Sequence, residues 1–203
     1  MNASALTAWE LFCRRGDRLL FGGVDLWLDQ GDALHLVGPN GIGKTSLLRM
    51  LAGFIKPYAT GLPSPPAGSV GIIHWAGSFG LLNEKPALDE HLPLGQALAF
   101  WQAIDQRNSV DLDRLGLGRL LDVPVRYLST GQRKRAAMAR LLGQNADHWL
   151  LDEPLNGLDT DGVALIETLI DEQRANGGAV IVASHQPIQL RDAKTLNLAD
   201  YRL

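Results

Sequence analysis

The sequence predicts an α/β fold: a parallel sheet, an N-terminal antiparallel β part and an inserted α-helical segment. Three stretches predict it. The run Ala33-Leu34-His35-Leu36-Val37 reads as a short buried strand. It leads through a glycine-rich turn into a helix over Thr45–Ala52, with Gly53 where a C-cap belongs. Trp149-Leu150-Leu151 is a second buried strand, and it ends in the adjacent carboxylates Asp152 and Glu153. Ala179 to Ser184 is all-apolar but for its last residue, as expected of a parallel strand covered on both faces.

Taken in order, Leu6 to Cys13 is apolar enough for a first strand, and Arg18–Phe21 is placed to pair with it. Val24-Asp25-Leu26-Trp27-Leu28-Asp29 alternates with period two, a strand with one wet face. Residues 56–68 hold Pro57, Gly61, Pro63, Pro65, Pro66 and Gly68, a density that no central strand or helix survives. Val70–Trp75 then reads as the next buried strand and Gly77–Lys85 as loop. Leu94, Ala97, Leu98, Trp101 and Ile104 follow helical spacing over Pro93 to about Gln106, with Trp101 on the core side. A second short helix is expected over Asp111–Leu121, interrupted by Gly116 and Gly118, so residues of about 83–128 form the helical insertion. Thr130–Leu142 is a basic amphipathic helix, Asp161–Ala175 another, and Thr195–Leu198 a final edge strand.

Length and composition set the class. At 203 residues the chain fits one domain with a core of its own. Its 46% hydrophobic and 20% charged residues are globular values. A net charge of −3 provides no basic footprint for nucleic acid. Cys13, the sole cysteine, excludes an internal disulfide and suits a reducing compartment. Met1–Leu6 lacks the basic and apolar regions of a secretory leader, and no window approaches a membrane span. Any membrane role is therefore expected to be peripheral.

Gly38-Pro39-Asn40-Gly41-Ile42-Gly43-Lys44-Thr45 satisfies G-x-x-x-x-G-K-[ST], the phosphate-binding loop of P-loop NTPases with a RecA-like core. Glycines let the backbone turn its N–H groups inward, and the helix that follows adds its own unpaired N–H groups and dipole. Lys44 is suited to reach the β- and γ-phosphates of ATP and Thr45 to ligate Mg²⁺; Ser46 completes the nucleotide-binding set. Asp152, at the carboxyl edge of a buried strand, is suited to hold the same Mg²⁺, and Glu153 to polarise the attacking water. Ser129-Thr130-Gly131-Gln132 opens a helix as an N-cap and anion site, which by itself is an ordinary cap.

In that order the stretches resemble an ATP-binding cassette (ABC) ATPase. Leu128–Gln132 resembles its LSGGQ signature with Thr130 in place of the first glycine, and Asn156-Gly157-Leu158-Asp159 resembles its D-loop. His185 matches the switch histidine, which in that family contacts the γ-phosphate and the catalytic glutamate. The resemblance implies Glu153, His185 and Lys44 as catalytic residues. It also implies a head-to-tail homodimer, with ATP between Gly38–Thr45 of one copy and Ser129–Gln132 of the other. The family's glutamine is missing from Gly77-Ser78-Phe79-Gly80, which leaves Ser78 as a positional candidate. Phe12, Arg14 or Arg15 is the candidate for stacking adenine, and Phe12 fits the core equally well.

Within the ABC ATPases the chain resembles the haem exporter ATP-binding subunits of the cytochrome c maturation system. The opening Leu11-Phe12-Cys13-Arg14-Arg15-Gly16-Asp17-Arg18-Leu19-Leu20-Phe21 resembles L-x-C-x-R-x-x-R-x-L-F, and Ser184-His185-Gln186-Pro187 is similar to T-H-Q-P. That resemblance implies integral membrane partners and release of a haem-loaded chaperone on ATP hydrolysis. The resemblance also implies that haem itself is not handled by this subunit, and nothing here looks like a haem-ligand motif: C-x-x-C-H is absent, and His35, His74, His91 and His148 are scattered. The motifs describe the engine and not the cargo, so another small transporter ATPase stays open. A non-hydrolysing regulatory cassette and a soluble cassette acting on DNA or ribosomes fit the residues less well.

Overall fold

In the computed structural model, residues 3–58, 71–83, 85–105 and 110–202 are described. The chain runs β1 (Ser4–Arg15), β2 (Arg18–Asp29), β3 (Ala33–Val37), α1 (Lys44–Leu51), β4 (Ile72–Trp75), β5 (Phe79–Leu82), α2 (Leu94–Asp105), α3 (Thr130–Gln144), β6 (His148–Asp152), α4 (Thr160–Ala175), β7 (Val180–Ala183) and β8 (Lys194–Asn197). Two sheets result: an antiparallel one ordered β2-β1-β4 and a parallel one ordered β5-β6-β7-β3-β8.

Alternation along the parallel strands divides the core into two layers. Leu36, Leu150 and Ile181 face α1 and the antiparallel sheet, whereas Trp149, Leu151, Val180 and Val182 face α3, α4 and the helical segment. Period two sends successive side chains to opposite faces, so a strand wet on neither face is apolar throughout. All of β6 and β7 is buried. Cys13 is buried and free in the first layer, where burial pushes its thiol up from the usual cysteine value.

Four expectations are corrected. Arg18–Phe21 and Val24–Asp29 form one strand, continuous through Gly23 at φ 71, with register shifts in β1 opposite it. The run expected as a buried parallel strand, Val70–Trp75, supplies β4 of the antiparallel sheet instead, with alternate residues in solvent; Val70 lies outside the described residues. The parallel strand at that point is β5, within the stretch expected as loop. Gly80 within it marks a close approach, since a Cβ at this position would collide with the Leu141 side chain of α3. Over Asp111–Leu121 there are only turns and a single 3₁₀ turn at Gly118–Leu120. Gly116, at φ 65, and the Asp111 carboxylate accepting from Arg114 N–H end helical continuity. Most of the Pro/Gly-rich stretch of residues 56–68 lies outside the described residues.

His148 ties the two sheets together. Its Nδ1 accepts the Ala179 N–H at 3.0 Å, so the proton sits on Nε2, which donates to Ala76 O at 2.9 Å. The ring also stacks on Trp75 with centroids 5.4 Å apart. At the same edge Asp147 Oδ2 accepts both the N–H and the Oγ–H of Ser78, each at 2.7 Å. Ser78 thus lies at the amino edge of β5, which excludes it from the carboxyl-edge loop where it was expected.

Replacing His148 by Leu leaves the buried Ala179 N–H without its acceptor, and should cost about 2–3 kcal/mol in a urea unfolding series. The Ser78 bonds hold the Asp147 carboxyl below the usual aspartate range. Their contribution is full above the unfolded value of about pH 4 and fades as pH falls through the lower folded value. Asp147→Asn should therefore flatten that acid limb in pH-dependent unfolding.

Candidate functional site at the carboxyl edge of the parallel sheet

Three parallel strands end level. Leu36 of β3 and Asp152 of β6 both register with Ala183 of β7. The chain leaves these strands into the Gly38 loop, Glu153 and Ser184-His185, so residues far apart in sequence begin their loops at one edge.

Within the phosphate loop Gly38, Gly41 and Gly43 have φ of 136, 75 and 119. Gly43 occupies the N-cap of α1 with no side-chain cap, which leaves the first N–H groups of the helix for a ligand. A Cβ on Gly43 would lie 3.0 Å from the Phe21 ring, so both conformation and space demand glycine there. Lys44 Nζ donates to Gly38 O at 2.7 Å and Pro39 O at 3.4 Å, and lies 3.4 Å from His185 Nδ1. Burial pushes the Lys44 ammonium below the usual lysine value, while the Glu153 and Asp152 carboxylates oppose that shift.

Thr45 Oγ1 donates to Asp152 Oδ1 at 3.1 Å, and Asp152 is buried. A hydroxyl and a single carboxylate, adjacent to a phosphate-binding loop, form the hard-oxygen set that Mg²⁺ takes together with substrate phosphates. Among the described residues no cluster of three or more His, Cys, Asp and Glu offers a rival all-protein metal cage.

Glu153 adopts φ 48, a left-handed conformation uncommon for a non-glycine residue. Its N–H is anchored on Ala183 O at 2.8 Å, and the carboxylate clamps the next loop: Oε1 lies 3.0 Å from His185 Nε2, and Oε2 accepts the His185 N–H at 3.3 Å. An ammonium only donates and a carboxylate only accepts. We therefore assign the imidazole the neutral tautomer with its proton on Nε2, in a relay Lys44–His185–Glu153. Ser184 Oγ closes the loop beneath the histidine, donating to Gln186 O and accepting Gln186 N–H.

The signature stretch lies elsewhere. Ser129 caps α3 in a capping box: its Oγ accepts Gln132 N–H at 3.2 Å and its N–H donates to Gln132 Oε1 at 2.8 Å. Thr130 and Gly131 pack on Gly157, where an added Cβ would lie 2.5 Å from Thr130 Cγ2. A cleft of about 230 Å³ is lined by Leu20, Asn40, Gly41, Gly43–Ser46, Glu153 and His185, with no residue of Ser129–Gln132. The structure thus brings together Lys44, Thr45, Asp152, Glu153 and His185, and leaves the signature on another surface of the same chain.

Phe12 is buried in the core; Arg14 lies over the Tyr58 ring, 5.4 Å from its centroid. Trp101 donates to Ala87 O and is covered by the Arg140 guanidinium at 3.9 Å, a packing role as expected. Leu20, which lines the cleft, and the Ser184–Gln186 clasp were missed by the sequence reading. The Ser-x-Gln spacing was a readable turn signal, whereas Leu20 carried none. With β5 ending at Leu82, the carboxyl-edge loop beside β6 opens at Asn83, followed by Lys85 two residues on.

A glycine loop opening a helix after one parallel strand, with a carboxylate ending another, defines a P-loop nucleotide-binding domain. The family model described as ABC transporter matches residues 21–156, and the chain belongs to that family, so it is an ABC-type ATPase that binds ATP. A protein of Novosphingobium aromaticivorans named cytochrome c biogenesis ATP-binding export protein CcmA is 46% identical over 202 residues, covering all of both chains. One of the same name from Zymomonas mobilis is 43% identical over 97% of this chain and 85% of its own. An ABC transporter ATP-binding protein from Pyrococcus furiosus superposes with a TM-score of 0.77 at 23% identity, over 98% of this chain and 99% of its own, and shares the fold.

Gly43→Ala forces both a disfavoured φ and a contact with Phe21. It should weaken ATP binding by about tenfold or more in a fluorescent-nucleotide titration, while unfolding stability falls by only about 1–2 kcal/mol.

Proposed function

We propose that this chain is the ATP-binding and ATP-hydrolysing subunit of a membrane complex in c-type cytochrome biogenesis, where turnover drives release of a haem-loaded chaperone. The observation that carries the reading is the 46% identity, over full length, to a protein named for ATP-binding export in cytochrome c biogenesis. Among the described residues no helix is long and apolar enough to cross a membrane. The partners are accordingly separate integral membrane subunits, and this chain sits peripherally on their cytoplasmic face. Nucleic acid and haem are not its ligands.

Each step uses residues already described. Backbone N–H groups of Gly38–Thr45, Pro39 excepted, and of Ser46 cradle the phosphates, and Lys44 moves from the loop carbonyls to the β- and γ-phosphates. Thr45 and Asp152 hold Mg²⁺, which when bound neutralises charge on the phosphate oxygens. Glu153 orients the attacking water and accepts its proton, while His185, fixed on that carboxylate, bridges toward the γ-phosphate. Ser129–Gln132 of a second copy close the site head-to-tail, since a cleft formed by one chain lacks that anion-binding helix end. We assign the domain to the whole chain, with residues of about 83–128 as its helical insertion.

Glu153→Gln removes the proton acceptor but keeps the shape. It should retain ATP binding, accumulate a closed dimer on size-exclusion chromatography, and lose about a hundredfold or more of turnover. In a strain lacking the gene, haem staining of membranes should show loss of c-type cytochromes, restored by wild type and not by Glu153→Gln. Normal cytochromes in the deletion strain would reject the pathway and leave the ATPase intact.

A further inference from the structure

The antiparallel sheet turns one face to solvent, and that face is not ordinary surface. Trp9, Trp27 and Ile72 stand on it at 42%, 54% and 40% exposure. Trp9 pairs with Ile72 across β1 and β4, and the two indoles meet edge-on with centroids 6.5 Å apart. Scattered exposed apolar residues need no explanation; a contiguous pair of indoles beside an isoleucine marks a binding surface.

The rim of this patch is acidic. Asp25, Trp27 and Asp29 alternate along β2 and therefore share the outward face. Asp25 Oδ1 accepts the Glu10 N–H at 2.7 Å, and Asp29 Oδ1 accepts Trp27 Nε1–H at 3.0 Å, which holds both carboxylates next to the indoles. Glu10 is exposed in the bulge where its φ is 51. Glu10, Asp25 and Asp29 take part in no ion pair among the described residues. Lys194, the cation that reaches the Trp27 carbonyl, is paired with Asp32.

We propose that this face docks a cationic segment of a partner protein, one that alternates Arg or Lys with apolar side chains. Guanidinium and ammonium groups are attracted to indole faces and to carboxylates alike, and alternate apolar residues would lie on Trp9, Trp27 and Ile72. The same charge disfavours the other occupants: a second copy would oppose three carboxylates with three more, and an anionic lipid surface would be repelled. None of these residues lines the cleft at the phosphate loop.

The test is fluorescence anisotropy of a labelled peptide alternating arginine with leucine, titrated with the full chain. Saturable binding should weaken with added salt, and Trp27→Ala and Asp25→Asn should each lower affinity by about tenfold or more. ATP turnover and thermal unfolding should stay unchanged in both variants. Equal affinity for a glutamate–leucine peptide, or unchanged affinity in both variants, would overturn the proposal. So would phosphatidylglycerol-vesicle binding that Trp27→Ala abolishes, or self-association that it abolishes, because the face would then belong to lipid or to a second copy.

Discussion

The structure depends on three parallel strands ending at one level. Backbone hydrogen bonds set Leu36 and Asp152 in register with Ala183, and the chemistry follows from that alignment. A slip of one residue in β6 would turn Asp152 to the opposite face of the sheet and separate it from Thr45, 3.1 Å away. Burial protects the register. Every residue of β6 and β7 is inside, so a slip would exchange the side chains facing the two core layers.

That rigid edge supports strained and mobile parts. Glu153 holds an uncommon backbone conformation only because its N–H is fixed on Ala183 and its side chain is engaged by His185. Lys44 hydrogen-bonds to the Gly38 and Pro39 carbonyls of its own loop and lies 3.4 Å from His185 Nδ1, so its buried ammonium is partnered within the chain. The amino edge is built differently. There His148 is held by the Ala179 N–H and the Ala76 carbonyl, and Asp147 by Ser78, an arrangement that fastens the two sheets.

The signature stretch is set apart from the phosphate loop of its own chain. Its capping box and its packing on Gly157 are complete within the chain, and none of Ser129–Gln132 lines the cleft that holds Lys44 and Glu153. Gly157 joins that helix to the loop after Glu153, and Gln186 Nε2 approaches Asn156 Oδ1 at 3.4 Å from the histidine loop. Nucleotide and signature elements therefore share a contiguous set of contacts through residues 153–159.

The sequence alone determined the phosphate loop, the paired carboxylates, His185 and the buried strands that carry them. Those features are local: a glycine pattern, an apolar run and the residue that ends it are written in consecutive positions. Tertiary structure decided what local pattern cannot encode. Ile72–Trp75 and Phe79–Leu82 are both short apolar runs, and only their neighbours sent one to the antiparallel sheet and the other to the parallel one. Gly77–Lys85 read as loop, and the helix side chain that excludes a Cβ at Gly80 lies 61 positions further along the chain, at Leu141. Leu20 reached the nucleotide cleft, and Ser78 left it, through strand pairing between distant segments. Sequence names the reactive groups because their chemistry is intrinsic; which of them meet is set by long-range register, and that is a property of the folded sheet.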